Sequence, residues 1–187
     1  MRNLALILAV GLLVACGGKH NADNAVSQEA NKSELIKTIS ATEAFTMKST
    51  QSIDANLADS LMNLYDSFAK QYPTDSICLE YLSKAVTIAF NIKDCERALS
   101  FLQRIIDDKS NSKYVEWAYF YKGAVYSDVC GDKNKASDAY VFFLDNYPQS
   151  QYVKDANVLL NMLKLQNEMD LIRQFEVNNQ SDSLLNN

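Results

Sequence analysis

The chain has 187 residues, 48% of them hydrophobic and 22% charged, which suits one packed domain or a short repeat array and is too apolar for a disordered chain. Five Gly and two Pro are too few for the hairpins and bends of an all-β fold. A net charge of −5 disfavours phosphate backbones, so no nucleic-acid partner is expected, and the single histidine, His20, leaves no material for a histidine zinc cage or a His-containing triad.

Met1-Arg2-Asn3 sets one cation before an apolar run, residues 4–15, that ends in small residues and Cys16. This is a signal-peptide layout, and the run is too short for a bilayer, which takes about 20 apolar residues. Leu13-Val14-Ala15-Cys16 resembles the lipobox of bacterial lipoproteins. The resemblance implies cleavage after Ala15 and acylation of Cys16 at its thiol and new amino group. Several acyl chains hold a protein firmly where one is marginal. The plainer alternative is a secretory signal with a chance cysteine at its end. Gly17, not Asp, follows Cys16, so the best-known inner-membrane retention signal is missing, and residues 17–20 lack the acidity of surface-export tags. The expected location is the outer membrane, lipid-anchored, on its periplasmic face. Residues 16–32 contain almost no large apolar side chain and read as a flexible tether of roughly 20–25 Å root-mean-square span. His20 lies in it as a solvated histidine with no second ligand nearby.

Residues 33–48 read as a less regular helix around Leu35, Ile36, Ile39 and Phe45, partnering a helix over 56–71 with Leu57, Leu61, Leu64, Tyr65 and Phe68 on one side. The chain then repeats at an offset of 38. Tyr81 falls on Tyr119, Lys84 on Lys122, Ala85 on Gly123, Ala98 on Ala136, and Tyr114-Val115 on Tyr152-Val153. Both prolines stand in Tyr-Pro pairs, Tyr72-Pro73 and Tyr147-Pro148, 75 residues apart. Each unit reads as two helices. In the second unit the first helix covers 114–129, with Tyr119, Phe120, Gly123 and Tyr126 in its stripe, and Gly131-Asp132 breaks it. The second covers 133–146, turns Ala136, Tyr140, Phe143 and Leu144 inward, and ends at Tyr147-Pro148, since a residue before proline avoids the helical region. Ser112 and Ser150 read as N-caps of the helices that follow them. Gly123 and Ala85 are small where helices cross, matched by Ala98 and Ala136. A helix with Val153, Ala156, Leu159, Leu160 and Leu163 opens a third unit. A short helix around residues 169–175 is expected to close it, and residues 178–187 to fray.

Gly123, Tyr126, Ala136 and Pro148 resemble the tetratricopeptide repeat, at a period of 38 rather than 34. The lower unit departs from the pattern, with Ala85 and Ile88 for Gly and the aromatic residue and Ser110 for Pro. The phrase spanning residues 142–152 is similar to those in β-barrel assembly and cell-division-coordinating lipoproteins and periplasmic proteins of Gram-negative bacteria. The resemblance covers roughly residues 55–177. It implies an all-α fold of stacked antiparallel helix hairpins, a tetratricopeptide-like α-solenoid over 33–177 with a short C-terminal capping helix.

No Gly-rich phosphate loop, His-Glu-x-x-His or Gly-x-Ser-x-Gly occurs, so neither enzyme chemistry, nor a metal, nor a small-molecule cofactor is expected. Cys78 and Cys95 start successive helices of one hairpin, about 20 Å apart and beyond disulfide reach. Cys95 and Cys130 both lie at helix-to-helix turns of adjacent units and are the pair that could meet in an oxidising compartment, although three free, partly buried thiols are the preferred reading. Trp117 and Tyr121 form a second aromatic stripe. They either pack between units or form a binding patch, Trp and Tyr being common interface anchors. Lys84 and Lys122, equivalent in the repeat, either flank a groove or are solvated surface. The expected function is a non-enzymatic scaffold that holds an extended segment or helix of an envelope protein in its groove while the lipid keeps it at the membrane. An envelope enzyme or ligand-binding protein with a pocket between helices is one alternative, and a purely structural subunit another.

Overall fold

The computed structural model of the chain describes residues 18–48, 54–108 and 113–185, with side-chain surroundings for 28–46, 54–108 and 113–176. The signal segment 1–15, Cys16 and Ser112 lie outside the described residues. Among the described residues there is no strand. The elements are α1 (Gly18–Lys48), α2 (Ala55–Gln71), α3 (Cys78–Asn91), α4 (Cys95–Ile106), α5 (Lys113–Ala124) running on into a π-helical turn (Val125–Val129), α6 (Lys133–Asn146) and α7 (Val153–Leu185). Residues up to Thr38 group as one unit and those from Ile39 onward as a second. In the first, Lys32 lies 3.6 Å from Glu29 and Thr38 Oγ1 donates to the Glu34 carbonyl at 3.0 Å. In the second, each helix from α2 onward packs on the next in chain order, and α3 also touches α5.

Local chemistry sets these boundaries. Asp94 and Asp132, one repeat apart, cap α4 and α6: each carboxylate accepts the N–H three residues on, from Arg97 and Lys135, both at 2.9 Å. Asp54 caps α2 by accepting the Asn56 N–H at 2.7 Å. The turn before each cap needs a left-handed residue, Lys93 at φ 62° in one unit and Gly131 at φ 71° in the next. Tyr72 and Tyr147, each before a proline, leave their helices with nearly identical backbones (φ −129°, ψ 57° and φ −130°, ψ 52°). Each donates its N–H at 2.8 Å to the carbonyl four residues back. Two ion pairs carry the same separation of 38 residues, Arg97 with Asp59 at 2.7 Å and Arg104 with Asp66. The core is apolar throughout, from Met62, Tyr65 and Phe68 on α2 and Leu82 and Val86 on α3 to Leu102 and Ile105 on α4 and Tyr140 and Phe143 on α6.

Several expectations change. The segment read as a tether is helical from Gly18 onward. It contains no proline and is supplied with helix formers, Ala22, Ala25, Gln28, Glu29 and Ala30. Of the apolar residues around which the first helix was expected, Ile39 is fully buried but Phe45 is 69% exposed, because a six-residue step turns it well away from Ile39 around the helix. The helix expected over 114–129 changes to π-helical hydrogen bonding after Ala124. No separate capping helix forms: α7 is continuous through Leu185, since Gln166-Asn167-Glu168 offers neither Gly nor Pro to break it. Gly123 does not face a small residue. A Cβ there would lie 2.5 Å from two ring carbons of Tyr140. Ser150 accepts the Tyr152 N–H at 3.1 Å in the turn before α7, which starts at Val153. Cys95 and Cys130 form a disulfide, with Cα atoms 5.2 Å apart, in place of the three free thiols preferred above. Packing of α4 against the π-helical turn brings the two turns together. Cys78 is free and buried.

Candidate functional site

Two of the four groove residues singled out from the sequence, Lys84 and Trp117, line one recess. Ser83, Lys84 and Thr87 project from α3, and Lys113, Tyr114 and Trp117 from α5; in each set the last residue neighbours the other two, at spacings of four and three. Gln151 and Tyr152, in the turn leading to α7, close the far side of a space of about 460 Å³. That far wall is held by the ring of Tyr152, stacked on Phe120 with centroids 4.9 Å apart and planes 8° apart, and by Ser150, whose hydroxyl donates to Glu116 of α5.

Trp117 and Tyr121 have different roles. Their rings stack at 4.7 Å, and Tyr121 meets Phe90 of α3 at 5.4 Å. Tyr121 thus packs between units, its phenol pushed above its usual range by burial and then by Asp128. Trp117 forms the wall of the recess.

Lys84 and Lys122 also part. Lys84 Nζ lies 2.9 Å from Glu43 Oε1 and 3.1 Å from Glu80 Oε1, and Tyr65 Oη donates to Glu43 Oε1 at 2.7 Å. Burial pulls the ammonium pKa down, but its bonds to Glu43 and Glu80 outweigh this and hold it above the usual lysine value. Burial likewise raises the Glu43 carboxyl, and the bonds from Tyr65 and Lys84 with the lysine charge overcome it, leaving Glu43 below the usual range. The Tyr65 phenol is driven upward by burial and then by Glu43. Lys84 is therefore a charged, positioned group. The position one turn before Lys122 is Ala118, where Lys84 has Glu80, and Lys122 lines a different space of about 350 Å³ between α5 and α6 with Tyr119, Tyr126, Lys135, Asp138 and Phe142.

Sequence reasoning missed Glu43, Tyr65, Tyr114, Gln151 and Tyr152 as parts of this region. Tyr114 and Tyr152 were visible as a repeated Tyr-Val pair. No local signal marks Glu43, which reaches Lys84 across 41 residues. Among the described residues no cluster of three or more His, Cys, Asp or Glu side chains is placed to hold a metal ion, and no helix is long and apolar enough to cross a membrane. No protein-family model, no curated protein and no solved structure matches the chain.

Proposed function

We propose that the chain is a non-enzymatic, lipid-anchored scaffold of the bacterial envelope, built of tetratricopeptide-like antiparallel hairpins, that holds an extended segment of another envelope protein in the recess between α3, α5 and the start of α7. The observation that carries this reading is the convergence of Lys84, Lys113, Tyr114, Trp117 and Tyr152 from three alternate elements on one open space. In stacked hairpins the first helix of each unit contributes to a shared face, and that face is where such arrays bind. The repeat reading is supported by the recurrence of the Asp94/Asp132 caps, the Lys93/Gly131 turns and the Tyr72/Tyr147 exits. It is supported further by the two 38-residue ion pairs, as expected where second helices of neighbouring units run in the same direction. The envelope location rests on the likeness of residues 13–16 to a lipobox, and a disulfide between adjacent units suits an oxidising compartment.

The lining of the recess suits an extended peptide segment. The Trp117 ring takes an aliphatic or aromatic side chain. The Ser83 and Thr87 hydroxyls and the Gln151 amide can bond peptide groups, and Lys113, exposed at the rim with Nζ 5.3 Å from the Tyr114 ring centroid, can receive a carboxylate. A ligand-binding role is the second reading, favoured by the separate space between α5 and α6 with its two lysines.

A photoreactive side chain at position 117 of the full chain in intact cells tests the proposal, with the same group at exposed Lys164 of α7 as the control. The expected result is one defined envelope protein captured at 117 and not at 164. No adduct above the control, with the protein abundant, refutes the recess reading. Mass analysis of the mature N-terminus separately tests anchoring: an unmodified Cys16 overturns it.

A further inference from the structure

Helix α7 carries two apolar stripes. Ala156, Leu160 and Leu163 are buried together with Ala136, Tyr140 and Phe143 of α6. On the opposite side Val158, Met162, Leu165, Met169 and Ile172 are 52%, 51%, 60%, 62% and 59% exposed. A helix packed on one side ordinarily turns polar residues outward. Here the outward residues are apolar and follow one another at steps of 4, 3, 4 and 3. That is the 3.5-residue period by which one helix seams against another in a coiled coil. The stripe runs for two heptads, about 22 Å of helix.

The flanking charges select the occupant and its direction. In heptad terms Met162 and Met169 stand at a, and Val158, Leu165 and Ile172 at d. Glu168 then stands at g and Arg173 at e of the following heptad. In a parallel, in-register pair of identical helices, a g residue faces the e residue five positions on in the other chain. Glu168 of each copy would meet Arg173 of the other, giving two symmetric ion pairs. Antiparallel pairing sets g against g and e against e. The e residues are Leu159, Gln166 and Arg173, and the g residues Asn161, Glu168 and Phe175, so no opposite charges would meet. Among the described residues Arg173 makes a loose contact, 3.7 Å from Asp170, and its side chain is 72% exposed.

We propose that a second copy of this chain covers the stripe, forming a two-fold dimer through parallel, in-register α7 helices. Isolated helices of two heptads are unstable because ordering them is costly. In this protein the first part of α7 is held by packing of Ala156, Leu160 and Leu163 on α6, and Lys133 bonds Asp170 at 2.7 Å farther along, so association has less helix to order than an isolated peptide would. The seam is smaller than a standard interface, and the expected dissociation constant is of micromolar order. This inference is independent of the recess, which lies on other elements.

Val158→Cys and Ile172→Cys, introduced singly into the full chain in cells under oxidising conditions, should each give a disulfide-linked dimer, because parallel register sets every seam residue beside its own copy. Cross-linking only between Val158→Cys and Ile172→Cys in a mixed population indicates antiparallel pairing and overturns the proposal. Sedimentation of the full chain with Cys16→Ser should show a mass twice 21.0 kDa at about 100 µM. Leu165→Glu should return it to monomer with unchanged helical circular dichroism. Glu168→Arg alone should weaken the dimer about tenfold, and Glu168→Arg with Arg173→Glu should restore it. A monomer at that concentration, or a dimer indifferent to Leu165→Glu, overturns the proposal.

Discussion

Opening the Cys95–Cys130 bridge tests how much of the array is held by chain connectivity. The cysteines are 35 residues apart, and the chain-entropy relation for a loop of that length gives about 4 kcal/mol of stabilisation, acting on the unfolded state. Domains of this size are stable by only about 5–15 kcal/mol, so the reduced protein should be folded but marginal. The native contacts should survive reduction, because α4 packs on α5 and on the π-helical turn as well as being bridged to it. Urea unfolding followed by circular dichroism, with and without reductant, in the chain carrying Cys16→Ser, measures the difference. With a slope of about 2 kcal/mol/M the midpoint should fall by roughly 2 M, and Cys130→Ser should match the reduced protein. Cys78→Ser should leave the difference between oxidised and reduced protein intact. The buried Cys78 thiol, its pKa raised chiefly by desolvation, should react with thiol reagents only on unfolding. Equal midpoints in oxidised and reduced protein would refute the reasoning, as would free reactive thiols at both 95 and 130 in the native oxidised chain.

Gly123→Ala should destabilise by about 1–3 kcal/mol, since the new methyl meets a fully buried Tyr140 ring, while Tyr140→Phe should be neutral or stabilising by up to about 1 kcal/mol because Tyr140 Oη has no hydrogen-bond partner among the described residues. Thermal unfolding checks both, and a destabilised Tyr140→Phe would contradict the second. At the paired left-handed turns Lys93→Gly should stabilise by up to about 1 kcal/mol, and Gly131→Ala, where a Cβ meets nothing within 4 Å, should cost about 1–2 kcal/mol from backbone strain alone. Equal effects of the same sign at the two sites would show that the turns are not equivalent. Glu43 has a lowered pKa when folded, so its contribution is present above its unfolded value near 4.5 and is lost as pH falls through the folded value. Glu43→Gln should therefore be less stable than the parent near neutral pH, with the gap between their urea midpoints closing as the pH drops into and below that range. A gap that persists in acid would remove the linkage.

The helices of the central repeats were legible in the sequence because what begins and ends them is local. Asp94 and Asp132 cap from within three residues, and a tyrosine before proline ends a helix wherever it stands. The continuity of α7 was legible too, in the absence of Gly and Pro at residues 166–168, but was obscured by the expectation that an array must cover its own end. Tertiary placement alone decided the rest. Lys84 and Lys122 occupy equivalent repeat positions, yet Lys84 is drawn to Glu43 and Glu80 while Lys122 faces another space. Trp117 and Tyr121 lie one turn apart, yet the ring of Phe90 makes one a filler between units and leaves the other on a wall. Whether two cysteines bond depends on how two turns, 35 residues apart, come to rest. A helix boundary depends on neighbours within a turn or so, which residue order specifies directly. A side chain's partner across the fold depends on the packing of whole helices, which no short stretch of sequence contains.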